Sequence, residues 1–194
     1  MSFLEKNLED IIFKNFDKCK ERGLKIDHMK QGLLLRQVDL GDYGIADLIT
    51  VSFECNLING CTEIFINVIE CKKGIIDTTA YLQGKRYITG LKELLFLSEL
   101  DVDHYRINLK LQLIGSSFDE RSDLKYLLHS DRDTQVFTYE YGFDGISFKE
   151  VDRFLFFKRT IGEREIKKMA PKIKQLHRAF YLSLADKISD RKII

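Results

Sequence analysis

The residues with the types and spacing to do chemistry together cluster around Asn67-Val68-Ile69-Glu70-Cys71-Lys72. An apolar, β-rich run, Ile64 to Ile69, ends there in an acid, a small residue and a lysine. Side chains alternate between the faces of a strand, so Glu70 and Lys72 point to one side and Cys71 to the other. Their backbones lie about 7 Å apart, close enough for a carboxylate and an ammonium to share one site. The carboxylate can hold a hard divalent cation. The lysine can orient a water or steady a developing negative charge.

An acid-x-lysine triplet is a weak signal by itself, and the chain holds four: Glu70–Lys72, Asp123–Lys125, Glu165–Lys167 and Asp190–Lys192. Only Glu70–Lys72 closes an apolar strand. It also has an acid upstream. Asp47 follows Gly44-Ile45-Ala46 and enters a strand expected to pair antiparallel with the Glu70 strand through the Asn59-Gly60 turn. That pairing brings Asp47 and Glu70 to the same end of the sheet. Two adjacent carboxylates repel unless a cation neutralises them, so a metal is the economical explanation. Gln83 and Tyr87, four apart in Gln83-Gly84-Lys85-Arg86-Tyr87, share a helix face. Gln83 can both donate and accept, and Tyr87 can hydrogen-bond or stack. Lys73, Lys85 and Arg86 suit phosphate contacts.

The elements that must position these groups follow from periodicity. Leu4, Leu8, Ile11, Ile12 and Phe16 predict an opening helix, with Ser2 and Glu5 laid out as a capping box. Gly23 is expected to end it, or the basic segment Lys18 to Arg22. Strands are expected over Gly32–Leu40, Ile45–Phe53 and Glu63–Cys71, with a turn at Gly41–Gly44. A helix capped near Asp77 runs to about Glu99. A strand over Tyr105–Ile114, a short helix over Ser122–His129 and aromatic strands over Val136–Tyr141 and Arg153–Phe157 follow. A last helix spans about Gly162 to Lys187, kinked or restarted at Pro171. The chain reads as one domain, residues 1–115 forming a core and 116–194 its elaboration.

Gly44-x-x-Asp47, Glu70-x-Lys72 and Gln83-x-x-x-Tyr87, in this order and spacing, resemble the PD-(D/E)XK nuclease superfamily, in particular its RecB-like and NucS-type branch. Leu4-Glu5-Lys6-Asn7-Leu8-Glu9 is similar to that branch's opening Glu-x-x-Leu helix. The resemblance covers about residues 3–98. It implies a restriction-endonuclease-like α/β fold (αβββαβ), a central mixed sheet flanked by helices, with extra C-terminal strands and a terminal helix. It implies metal-dependent hydrolysis of DNA. Asp47, Glu70 and the Cys71 backbone carbonyl would hold Mg²⁺ or Mn²⁺ through oxygen. Glu5, with Glu9 as the weaker alternative, would reach the cation from the first helix. Water attacks the phosphodiester, and the cation stabilises the charge that develops. Lys72 orients the nucleophile or screens charge, and Gln83 and Tyr87 pin Lys72 or the scissile strand. The alternative is a nuclease-fold protein that binds DNA or a partner without cutting, or cuts only within an assembly. Residues 100–194 match no family pattern, so substrate choice stays open.

Composition excludes little. Net charge is +1, so a phosphate-binding surface must be a local patch. No apolar run approaches the roughly 20 residues that span a bilayer, and Met1-Ser2-Phe3-Leu4-Glu5 lacks a signal-peptide layout. Cys19, Cys55, Cys61 and Cys71 show no CxxC pair and read as reduced thiols of a cytoplasmic protein rather than an iron–sulfur cluster. Each site residue has a blander role to outweigh. Asp47 could bond backbone at a strand end, Glu70–Lys72 could be a surface ion pair, and Glu5 could complement the helix dipole. Phe137, Tyr139, Tyr141, Phe154 and Phe156 read as packing rather than base stacking. The apolar face of the last helix suits docking on the domain or a second subunit, as in a homodimer, and its basic face reads as a solvated face ahead of phosphate binding. The four histidines show no ligand spacing.

Overall fold

The computed structural model describes residues 5–26, 32–55, 62–97 and 105–152. These lie in Met1–Asp152, one of two compact units of the chain. The expected strand over 153–157, the terminal helix with Pro171, the Ser2 cap and the Asn59-Gly60 turn fall outside the described residues.

The helices are α1 (Glu5–Lys14), α2 (Phe16–Glu21), α3 (Thr78–Leu97) and α4 (Leu124–Ser130). The strands are β1 (Gly32–Asp39), β2 (Ile45–Cys55), β3 (Thr62–Cys71), β4 (Ile75–Ile76), β5 (Tyr105–Gly115), β6 (Ser117–Phe118), β7 (Thr134–Gly142) and β8 (Gly145–Glu150). A six-stranded mixed sheet runs β1-β2-β3-β5-β7-β8, and β4 pairs with β6 beside it. β1, β2 and β3 are antiparallel neighbours; β3, β5 and β7 are parallel; β8 returns antiparallel along β7. The chain is therefore α/β with a central mixed sheet between helices, and the expected αβββαβ order holds with α2 and β4 inserted.

Alternation along the strands builds two cores. On one face Ala46, Ile49, Ile66, Val68, Leu111 and Leu113 pack with Ala80, Tyr87 and Ile88 of α3 and with Leu124 and Leu128 of α4. On the other, Leu48, Ile69, Cys71, Ile114 and Phe137 pack with Leu8 and Ile12 of α1 and Cys19 of α2. Burial on both faces explains why β3 reads as a nearly unbroken apolar run. Gly84 lets α3 lie close on β5, since a Cβ there would stand 2.4 Å from a Leu111 methyl. Asp77 caps α3, accepting from the Ala80 N–H at 2.9 Å.

The opening helix is shorter than its periodicity predicts. It breaks at Asn15, where the backbone leaves helical geometry (φ −127°, ψ 33°) and the side-chain amide donates to the Ile11 carbonyl at 3.1 Å. α2 follows and ends at Gly23, φ +101°, as expected. β8 is a strand the sequence reading omits. Its alternation, Ile146 and Phe148 inward against Ser147 and Lys149, is present but only six residues long. β4 and β6, two residues each, are too short to show a period. The aromatics of β7 divide: Phe137 and Tyr139 are buried, whereas Tyr141 is exposed.

Candidate metal centre

The site sits at the end of the sheet where β3 finishes. The register Leu48↔Ile69 places Asp47 across from Glu70. Asp47 Oδ2 accepts the Cys71 N–H at 2.9 Å, which locks the two strand ends together. Gly44 sets up this entry. It takes φ +99° between a short 3-10 turn (Gly41–Tyr43) and β2, a backbone region that favours glycine. A Cβ at Gly44 would also lie 3.2 Å from the Tyr87 ring.

Glu5 arrives from α1 on one face of the sheet, and Gln83 from α3 on the other. One carboxylate oxygen each from Glu5, Asp47 and Glu70 lie within 4.8 Å of one another. Lys72 joins the two sides. Its Nζ is 2.8 Å from Glu70 Oε1 and 3.3 Å from Glu5 Oε1. It donates to Gln83 Oε1 at 3.2 Å. Gln83 Nε2 in turn donates to the Tyr87 hydroxyl at 2.7 Å, so the i, i+4 pair on α3 acts as a brace for the ammonium. The Lys73 N–H donates to Glu5 Oε2 at 3.4 Å.

Burial has electrostatic consequences. Burial pushes the Asp47 carboxyl up to about 6 against the opposing Cys71 N–H, and the charges of Glu9 and Glu5 add to the rise. Burial and then the charge of Asp47 push Glu70 up to about 7, although Lys72 opposes the shift. Burial pulls Lys72 down, but the hydrogen bond and charge of Glu70 and the charge of Glu5 outweigh it, and the net shift is upward. The acidic neighbours thus favour the ammonium form of Lys72. Glu70 Oε2 is buried and has no hydrogen-bond partner among the described residues. Two carboxyls resisting ionisation, a third within reach and an orphaned buried oxygen fit a hard divalent cation, which takes oxygen ligands.

The remaining sequence candidates fall in different places. The Cys71 side chain is buried in the core on the α1 face, and burial pushes its thiol well up. Lys73 and Arg86 are exposed. Lys85 pairs with Asp131 at 2.6 Å, in a network where Asp131 also accepts from Tyr81 and Thr134. Glu9 is buried and bonded to Arg36 and Gln37 of β1. Arg36 and Gln37 escape the sequence reading because nothing local marks a surface-strand Arg-Gln pair. The one available signal, a polar pair interrupting the apolar β1 run, is common. Glu5, Lys6, Glu9, Arg36, Gln37 and Asp47 line a cavity of about 450 Å³ beside the carboxylates.

No family model matches the chain, and no curated protein matches it. Among solved structures it is similar to a repair endonuclease from Pyrococcus abyssi, at 22% identity and a TM-score of 0.38, over 67% of this chain and 45% of that one. The chain thus aligns with less than half of that enzyme's length.

Proposed function

We propose that the protein is a metal-dependent nuclease that hydrolyses phosphodiester bonds in DNA, with Asp47, Glu70 and Glu5 holding Mg²⁺ or Mn²⁺. One observation carries this reading: Lys72 is held by Glu70, Glu5 and Gln83 at the mouth of a three-carboxylate cluster that contains an orphaned buried oxygen. A structural ion pair needs neither the third acid nor the amide from the opposite helix.

When bound, the cation supplies Lewis-acid stabilisation of charge on the phosphate and the leaving oxygen. The residues do the rest. Asp47 and Glu70 would hold the cation as ionised carboxylates, with the Cys71 carbonyl as a further oxygen donor. Lys72, kept protonated by its acidic neighbours, donates to the attacking water or the non-bridging phosphate oxygen. The Gln83–Tyr87 brace limits the rotation of that ammonium, so little reorganisation is needed as charge develops. Lys73 and Arg86, both exposed beside the site, contact flanking phosphates.

The test is cleavage of labelled single-stranded, duplex, flap and four-way-junction DNA with Mg²⁺ or Mn²⁺, with EDTA, and with Lys72→Ala in parallel. Cation-dependent cutting lost in the variant is the expected result. An intact protein that binds these DNAs and cuts none of them would sink the nuclease reading in favour of a binding role.

A further inference from the structure

We infer that Arg36 and Gln37 of β1 form a clamp that positions Glu5 over the cation site by gripping α1 one turn further along. This rests on the cation reading proposed above. Glu9 lies four residues after Glu5, so both occupy one face of α1 about 6 Å apart along its axis. Arg36 Nε is bonded to Glu9 Oε1, and Gln37 Nε2 donates to Glu9 Oε2 at 2.9 Å. Arg36 Nη2 is 2.5 Å from Asp10 Oδ1, and the guanidinium lies over the Phe13 ring, 5.7 Å from its centre. Two adjacent residues of β1 thus hold three residues of α1.

The backbone is arranged to allow this grip. Strict alternation would send Arg36 and Gln37 to opposite faces of the sheet. Gln37 takes φ +50°, a left-handed conformation uncommon outside glycine. The facing of β1 reverses there: Leu34 packs with the α1-side core, whereas Val38 packs with the α3-side core. The distortion falls where the register runs Arg36↔Leu48, then Val38↔Ala46, so Gln37 stands across from Asp47. A strained residue beside a metal ligand, with its side chain spent on holding a helix, joins the helix to the strand that carries the ligand.

The clamp explains which acid of α1 serves the cation. Both oxygens of Glu9 are engaged by β1, whereas those of Glu5 are engaged by Lys72 and the Lys73 N–H, beside Asp47 and Glu70. Glu5 lies one turn before Glu9 on the same helix, so its place over the site follows that of the turn which Arg36 and Gln37 hold. Arg36 and Gln37 are positioning residues, since neither bonds Asp47 or Glu70 among the described contacts.

Two variants test this. In Gln37→Gly the left-handed backbone is relaxed and only the amide grip is lost. In the paired variant Arg36→Met/Glu9→Leu, apolar side chains of similar volume replace the ion pair. Mn²⁺ binding is measured by titration on the cation-free full chain, beside a thermal melt and the Mg²⁺ dependence of cleavage. Both variants are expected to melt cooperatively and bind Mn²⁺ about tenfold more weakly. Half-saturating Mg²⁺ rises in the same ratio, while the rate at saturating Mg²⁺ falls far less. Unchanged Mn²⁺ affinity in either folded variant overturns the clamp and leaves the cation site standing. Should the paired variant not fold, Gln37→Gly decides alone. A wild-type chain that binds no Mn²⁺ overturns the cation reading and the clamp with it.

Discussion

Glu9 and Glu70 are both buried glutamates, 5% and 1% exposed, and the fold treats them in opposite ways. Glu9 has both oxygens engaged, by a guanidinium and an amide from β1. Glu70 has one oxygen on Lys72 and the other buried with no partner among the described residues. Burying a charge is costly unless it is paired and hydrogen-bonded. The fold meets that cost at Glu9 and leaves it partly unmet at Glu70. An acid the protein satisfies by itself is part of the scaffold. An acid left short of partners among the described residues, beside two more acids, could take a cation that the chain does not supply.

The strongest way to break this comparison is Glu70→Gln. Rate is expected to fall at least about a thousandfold, corresponding to some 4 kcal/mol of lost transition-state stabilisation. The melting temperature of the cation-free protein at pH 8 should hold or rise, because an unsatisfied buried charge is gone. A large drop in stability would place Glu70 with Glu9 as a structural acid. Glu9→Leu should show the reverse emphasis. It is expected to lower stability, measured by urea unfolding, because Arg36 and Gln37 lose the carboxylate they hold.

pH sharpens the contrast. Asp47 and Glu70 titrate near 6 and 7 in the folded chain, against about 3.9 and 4.3 unfolded. Between those values the folded state holds more protons than the unfolded state. Raising the pH through that window therefore lowers the stability of the cation-free protein, and the loss is complete about one unit above the Glu70 value of about 7. Melts in EDTA should fall from pH 5 to 7.5. Saturating Mg²⁺ should stabilise the protein more at pH 8 than at pH 5.5, because binding must displace those protons at the lower pH. A flat profile in EDTA would mean that neither carboxyl is strained.

The smallest expected effect is at the brace. Gln83→Leu removes one of three holds on Lys72 and should slow cleavage by about tenfold, roughly 1.4 kcal/mol, with cation affinity nearly unchanged. Loss of cation affinity here would show that Gln83 orders the carboxylates and not the ammonium.

The linear chain carried much of this site because its chemistry is local. Glu70 and Lys72 share a strand end, and Gln83 and Tyr87 share a helix turn, so period alone sets their facing. Antiparallel pairing of β2 with β3 was legible from apolar runs either side of a turn, and it brought Asp47 to Glu70. What only the tertiary structure decided depends on contacts between distant segments. It set Glu5 beside Asp47 and Glu70 and bonded Glu9 to β1, through Arg36 and a left-handed Gln37 that no period announces. It tied Lys85 to Asp131, 46 residues further along the chain, through a loop whose position α4 and β7 set. Residue types and spacings specify which groups can meet on one element. Which groups are left unsatisfied depends on packing between elements, and here that selects the acids available to a cation.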